Sequence, residues 1–195
     1  MKKLLITGFD PFGGESVNPS WEAVKLLPEK IGAFEVTKLQ IPTKFSLAAQ
    51  EILYVAKELK PDVILSVGQA GGRDSITPEV VAINLREASI ADNAGKLAQN
   101  EPVLEGAPAA YFSTVPLRQM VAAVKNADIP CKLSYSAGAF VCNDTLYALL
   151  HHFDGTATQV GFIHVPFLPE QAKEGVPSLP LEKIAEGLKI AIEAI

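Results

Sequence analysis

Three residues of this sequence, Cys142, His164 and Glu79, have types and surroundings that could do chemistry. Cys142 follows a run of small residues and opens a helical pattern, where outward-pointing backbone N–H groups favour the thiolate. His164 lies at the end of an apolar strand pattern, and Glu79 follows a glycine-rich turn. A nucleophilic thiol, a histidine base and a carboxylate that orients the base are the parts of a cysteine hydrolase.

Two loops could form a pocket beside this thiol. Phe9 and Phe12 lie in the glycine-rich loop after the first apolar segment, whose spacing fits no phosphate-binding motif. They could offer apolar walls to a small ring, or only pin the loop to the core. Gln69 lies in a second glycine-rich turn, where its amide could donate and accept hydrogen bonds or face water.

The remaining cysteine and the histidine pair suggest no further chemistry. A predicted strand from Cys131 to Tyr135 separates the two cysteines by on the order of 20 Å, too far for a disulfide. Cys131 therefore reads as a buried hydrophobe. His151 and His152 lack the spacing of a metal motif and suit the C-terminus of a helix. We expect no metal site.

Composition limits the partners and the compartment. The 195 residues are enough for one domain, 1–195, and 48% of them are hydrophobic. With a net charge of −5 and no basic cluster, nucleic acid is not an expected partner. No segment approaches the roughly 20 apolar residues of a membrane span, and the apolar start breaks at Thr7. Two unpaired thiols indicate a reducing compartment, so we expect the cytoplasm.

Strand and helix patterns alternate along the chain. Alternation with apolar strands buried on both faces predicts an α/β fold with a largely parallel sheet between two layers of helices. Ligands of such folds bind beyond the carboxyl ends of the strands, and Phe9, Gln69, Cys142 and His164 all fall at or just after predicted strand ends. The predicted strands are Lys3–Thr7, Phe34–Ile41, Val63–Gly68, Val80–Leu85, Lys132–Tyr135 and Gln159–Val165. The predicted helices are 19–27, 46–60, 116–126, 143–152 and 180–195, with a long loop at 97–114 that could hold a small hairpin.

The chain resembles the pyroglutamyl peptidase I family along nearly its whole length. The matching motifs occur in one order and are together far more specific than any single one. They are Thr7-Gly8-Phe9-Asp10-Pro11-Phe12-Gly13-Gly14, Asn18-Pro19-Ser20, Gly68-Gln69-Ala70-Gly71-Gly72-Arg73, Ile76-Thr77-Pro78-Glu79, Asn84, Ser136-Ala137-Gly138, Val141-Cys142-Asn143 and Phe162-Ile163-His164-Val165-Pro166.

The resemblance implies a function and a fold. The family removes N-terminal pyroglutamate from peptides without metal or organic cofactor, and its catalytic residues match Glu79, Cys142 and His164. Its fold is a three-layer α/β/α sandwich with a largely parallel, mixed central sheet, and its members are commonly homotetramers. Its substrate pocket matches the residues Phe9, Phe12, Gln69 and Val141.

One departure from the family pattern bears on the rate. The family usually carries Arg-Ile-Pro-Asp-Asn ten residues after the catalytic glutamate, and this chain has Ser89-Ile90-Ala91-Asp92-Asn93. Arg86 lies nearby, but its odd offset from Ser89 would point it to the opposite face of an extended segment, so we do not expect it to substitute. A weakly active or inactive member is therefore one alternative.

A second alternative is another thiol amidohydrolase, such as a glutamine amidotransferase. That class has G-x-C-x-G around its nucleophile and H-x-E at its base. Here Cys142 is flanked by Val141 and Asn143, and His164 is followed by Val165-Pro166, so both signatures are absent.

Overall fold

A six-stranded, mostly parallel sheet forms the centre of the protein, whose computed structural model describes all 195 residues. Its strands are β1 (Lys2–Phe9), β2 (Lys30–Ile31), β3 (Phe34–Ile41), β4 (Val63–Gln69), β5 (Thr77–Pro78) and β8 (Gln159–Val165). They lie in the order β2-β3-β1-β4-β8-β5. The inner four strands are parallel, whereas β2 and β5 run antiparallel to their neighbours at the two edges.

Alternating side chains of the strands feed two separate hydrophobic cores. In β1, Leu4 and Ile6 pack on one side of the sheet, while Leu5 packs on the other. The first side is covered by α1 (Pro19–Leu26), α3 (Leu117–Asn126) and α5 (Leu181–Glu193), and the second by α2 (Leu47–Leu59) and α4 (Val141–His152). The three-layer α/β/α sandwich with a mixed, mainly parallel sheet is confirmed.

A short two-stranded sheet lies apart from the main one. It pairs β6 (Val81–Ile83) antiparallel with β7 (Ala110–Phe112). The predicted strand at 80–85 therefore forms in part, but it does not join the central sheet. Its partner strand, β7, comes from the predicted loop 97–114. Tyr111 of this strand packs beside Tyr147 of α4, with ring centroids 5.2 Å apart.

The predicted strand Lys132–Tyr135 is wrong. One isolated bridge forms within it, from Ser134 to Glu79, and a second forms just before it, from Cys131 to Ile76. The segment follows the backbone of 76–80 through single hydrogen bonds, including Ser134 N–H to the Pro78 carbonyl at 2.9 Å. Its apolar residues suit a strand, but its pairing is too irregular to make one.

The helix that supports the first loop begins as its sequence predicts. The Asn18 side chain accepts a hydrogen bond from Ser20 N at 3.1 Å, and Pro19 occupies the first turn of α1. The Ser20 hydroxyl accepts a hydrogen bond from the backbone N–H of Phe9 at 3.0 Å, which ties the end of β1 to the helix. None of the five helices is both long and apolar enough to cross a membrane.

Candidate active site

Strand alternation places His164 on the same side of the sheet as α4. Ile163 and Val165 of β8 belong to the core under α1, α3 and α5, so Phe162 and His164 point to the other side. The His164 ring lies against that of Phe162, with centroids 4.8 Å apart. The imidazole is therefore directed to the layer that contains Cys142.

Gly68 allows the sulfur to approach the strands closely. It pairs with His164 in the register of β4 and β8. A Cβ atom added to Gly68 would lie 2.9 Å from the Cys142 Sγ and 2.8 Å from the Phe162 ring. The absent side chain thus leaves the space that brings the sulfur over the strand that neighbours His164.

Cys142 is the second residue of α4, which begins at Val141, two residues before the predicted helix start at 143. The first N–H groups of a helix have no partner within it. No hydrogen-bond acceptor is found for the amides of Val141, Cys142 or Asn143, and Phe140 provides no side-chain cap. Val141 and Asn143 are buried, so the amide of Cys142 is the one nearest to a negative charge that develops on a substrate oxygen.

Glu79 binds both His164 and an arginine. Its Oε1 atom lies 2.7 Å from His164 Nδ1 and 2.7 Å from Arg73 Nη1, and the carboxylate is fully buried. Since Nδ1 faces this carboxylate, Nε2 is the ring nitrogen that remains free for Cys142. The arrangement is that of a histidine base oriented by an acid.

Burial and charge set the protonation of this pair. Burial would raise the pKa of Glu79, but the hydrogen bond and charge of His164 and the charge of Arg73 hold it below its usual range. Burial lowers the pKa of His164 below its ordinary value, and the hydrogen bond to Glu79 opposes that only in part. Near neutrality the imidazole is therefore uncharged and able to accept a proton.

The expectation that the helix start favours the thiolate is not met. Burial, followed by the negative charge of Glu79, raises the pKa of the Cys142 thiol to about 12. These effects outweigh the amides at the helix start. A thiol whose pKa is raised in this way needs a neighbouring base to take its proton when it attacks.

Cys142 and His164 line one pocket of about 430 Å³. The predicted residues Phe9, Phe12 and Gln69 line it as well. Phe9 is also nearly buried, with its ring 6.2 Å from that of Phe162, so it serves the core and the pocket together. The pocket is completed by Asn18, Thr43, Ala70, Gly71, Arg73, Ser136, Ala137, Gly138 and Phe140.

Val141 is placed differently from the other predicted pocket residues. Its side chain is fully buried in the core under α2 and α4 and does not line the pocket. Any contact of Val141 with a ligand would have to come from its backbone.

Arg73 is the site residue that our sequence interpretation did not single out. Its guanidinium donates to Thr77 Oγ1 at 2.5 Å, Glu79 Oε1 at 2.7 Å and the Ser136 carbonyl at 3.0 Å. It thereby joins the acid to the turn that leads toward Cys142. The feature of the sequence that could have identified it is its position, six residues before Glu79 and directly after a glycine-rich turn.

Arg86 does not take the place of the family arginine. It lies in a different cavity from the pocket and donates to Asp144 Oδ1 at 2.6 Å and Ser46 Oγ at 2.8 Å. Ser89 is exposed and does not line the pocket with Cys142. Arg73 is thus the arginine that faces the candidate site.

The residues for which no chemistry was predicted lie away from the pocket. Cys131 is buried in the opposite core, and both cysteines are unpaired. His151 and His152 are in the last turn of α4, where His151 Nδ1 lies 2.8 Å from the Tyr111 hydroxyl. No group of three histidine, cysteine or acidic side chains is arranged to hold a metal ion.

Gln171 supports Gln69 from the loop after β8. Its Nε2 atom lies 3.2 Å from the Val17 carbonyl and 3.4 Å from Gln69 Oε1. For a substrate that binds Gln69, we expect Gln171→Ala to lower kcat/KM about 5-fold, because one hydrogen bond that holds the Gln69 amide is lost. Steady-state kinetics test this, with Gln119→Ala on the exposed face of α3 as the matched control. Equal kinetics in both variants would contradict the supporting role.

Known proteins resemble the chain over its full length. The family model described as pyroglutamyl peptidase matches residues 2–195. The pyrrolidone-carboxylate peptidase of Thermococcus kodakarensis is 49% identical, with 99% of this chain and 95% of the relative covered. That of Bacillus cereus is 47% identical, with 99% and 92% covered.

Solved structures agree with the sequence relatives. The crystal structure of pyroglutamyl peptidase I from Bacillus amyloliquefaciens superposes with a TM-score of 0.96 at 46% identity, covering 100% of this chain and 96% of that one. Pyrrolidone carboxyl peptidase from Thermococcus litoralis gives 0.94 at 36% identity, with 100% and 93% covered. Fold, motifs and full-length identity together place this chain in the pyroglutamyl peptidase family.

Proposed function

We propose that the protein is a cysteine peptidase that removes N-terminal pyroglutamate from peptides through a thioester on Cys142. The observation that carries this proposal is the shared pocket of Cys142 and His164, with His164 bonded to the buried carboxylate of Glu79. Membership of the pyroglutamyl peptidase family supports the substrate class. Residues 1–195 act as one catalytic domain, without a metal or organic cofactor.

The pocket suits a neutral lactam. Pyroglutamate is an uncharged five-membered ring, so its site needs apolar walls and a few amide partners. Phe9 and Phe12 provide the walls, and Gln69 provides an amide that can bond the lactam. Val141 contributes through its backbone. Proline lacks the ring carbonyl and would leave buried polar groups unpaired, at about 1–3 kcal/mol each.

The reaction begins with a neutral thiol and a neutral imidazole. His164 Nε2 takes the proton from Cys142 Sγ as the sulfur attacks the pyroglutamyl carbonyl carbon. The resulting oxyanion faces the free amides at the start of α4. The C–N bond then breaks, His164 gives its proton to the leaving amine, and water hydrolyses the thioester.

Release of a fluorescent amine from a pyroglutamyl conjugate tests this function. We expect turnover of the pyroglutamyl conjugate and none of the matched prolyl conjugate, with loss of turnover after thiol alkylation. Turnover of glutamine without the pyroglutamyl conjugate would instead favour another thiol amidohydrolase. Stoichiometric binding without turnover would favour an inactive member that lacks the family arginine at Ser89.

The pH dependence follows from the lowered pKa of His164. A base with a lowered pKa stays uncharged until the pH falls below its ordinary value of about 6.5. We expect kcat/KM to be level around pH 7 and to fall only below pH 6.5. A profile from pH 5 to 9 measures this. An acid limb above pH 7, or a steady rise to pH 9 as thiolate forms, would contradict the mechanism.

Assembly and compartment belong to the same proposal. The homotetramer is proposed from the family resemblance, and Phe112, exposed at 69%, and Tyr135, exposed at 67%, are apolar side chains that an interface would cover. Two unpaired cysteines support a reducing, cytoplasmic location. Light scattering after size exclusion tests the tetramer, and a monomer at micromolar concentration would contradict it.

A further inference from the structure

A second cavity adjoins the pocket that holds Cys142. It has a volume of about 560 Å³ and shares the walls Gly71 and Phe140 with that pocket. Its other lining residues are Glu87, Ala88, Ser89, Ile90 and Ala139. The two cavities therefore lie side by side, with Gly71 and Phe140 bordering both.

The shared wall lies next to the nucleophile. Ala139 and Phe140 lead directly into α4, and Glu87 N–H donates to the Ala139 carbonyl at 3.0 Å. The lactam ring is assigned to the walls Phe9 and Phe12, so the acyl carbonyl carbon attached to the ring is at Cys142 and the residue that follows must leave past other walls. The adjoining cavity provides such a path.

Glu87 is the only ionisable residue that lines this cavity. Its Oε2 accepts from Asn100 N–H at 2.7 Å, while Oε1 has no protein partner and no cation pairs with the carboxylate. Arg73, which lines the first pocket, is engaged with Glu79, and Arg86, the neighbour of Glu87 in the chain, is engaged with Asp144. The cavity consequently presents one unpaired negative charge.

We infer that this cavity receives the side chain of the residue after pyroglutamate, and that Glu87 favours lysine or arginine there over aspartate or glutamate. The inference rests on the proposed peptidase function. Ser89 has a short side chain, which leaves the cavity open. The alkyl stem of a lysine would pass Ile90 and Phe140, with its ammonium group at Glu87.

The test compares three pyroglutamyl dipeptide amides, with lysine, alanine or glutamate in second place. Released amino-acid amide is measured by mass spectrometry at low and at 0.5 M salt. We expect kcat/KM for the lysine peptide to exceed that for the glutamate peptide about 5- to 10-fold at low salt, since one exposed charge attracts the first and repels the second. High salt should reduce this ratio.

Variants assign the preference to one carboxylate. Glu87→Gln should bring the lysine-to-glutamate ratio close to 1, and Glu87→Lys should invert it. Ser89→Arg should lower the ratio by adding a cation to the same cavity. Glu182→Gln removes an exposed carboxylate on α5, at the opposite side of the sheet, and should keep the wild-type ratio.

The outcomes separate this inference from the function on which it rests. Turnover of all three peptides with a ratio that Glu87→Lys does not change would overturn the inference and leave the peptidase intact. No turnover of even the alanine peptide would overturn both. Melting temperatures of the variants show that each is folded at the assay temperature.

Discussion

Cys142→Ala is expected to abolish release of the amine from a pyroglutamyl substrate, with a loss of about 10⁴-fold or more in kcat. No other thiol lies in the pocket, and no acyl-enzyme can form without the sulfur. The variant should keep its fold, because the change removes a single sulfur atom from a side chain that lines the pocket. Mass spectrometry after addition of substrate should show a transient thioester on the wild type and none on the variant.

Cys131→Ala is the matched control, since it makes the same chemical change in the same chain. Cys131 is buried in the core on the other side of the sheet, with its pKa raised to about 11 by burial. Its loss should leave kcat unchanged at a temperature where the variant is folded. A folded Cys131→Ala variant without turnover, or an active Cys142→Ala variant, would mean that the wrong thiol has been assigned.

The architecture could be predicted because its signals are local. Apolar runs such as Val63–Gly68 identify strands buried on both faces, and Asn18-Pro19 marks a helix start by its own chemistry. Alternation also fixes which side of a strand each residue faces. The end of the apolar run at 159–165 places His164 at the end of its strand.

Strand partners could not be predicted in the same way. The apolar pattern at 80–85 indicates extended backbone but does not say which strand completes its hydrogen bonds. It pairs with 110–112, from a stretch without strong periodicity, rather than with the central sheet. The segment 132–135 likewise has strand-like residues, yet only isolated bridges form because its neighbour is the short, irregular run at 76–80.

Electrostatics at the site depended on burial, which the sequence does not state. The position of Cys142 at a helix start correctly indicated free amides, but it gave the wrong sign for the thiol pKa. The determining facts are the burial of the sulfur and its proximity to the Glu79 charge. Neither can be read from the order of residues.

Arg73→Met is expected to lower kcat about 10- to 100-fold and to reduce the free energy of unfolding by on the order of 3 kcal/mol. Removing the arginine takes one hydrogen bond from the buried Glu79 carboxylate and leaves the Ser136 carbonyl with the Ser134 hydroxyl as its donor. The charge of Arg73 lowers the pKa of both Glu79 and His164, so both should rise in the variant. The acid limb of kcat/KM should therefore move to higher pH.

This shift separates a positioning role from a merely structural one, since general loosening of the fold would not move the limb in a defined direction. Arg73→Lys retains the charge, so the acid limb of this variant should stay near the wild-type position, even where the rate falls because the planar guanidinium is lost.

A double-mutant cycle supplies the second criterion. If Arg73 acts through Glu79, then Arg73→Met should cost little further activity in a Glu79→Gln background, where no carboxylate remains to orient. An equal loss in both backgrounds would show instead that Arg73 acts on the substrate or on the Ser136 turn by itself.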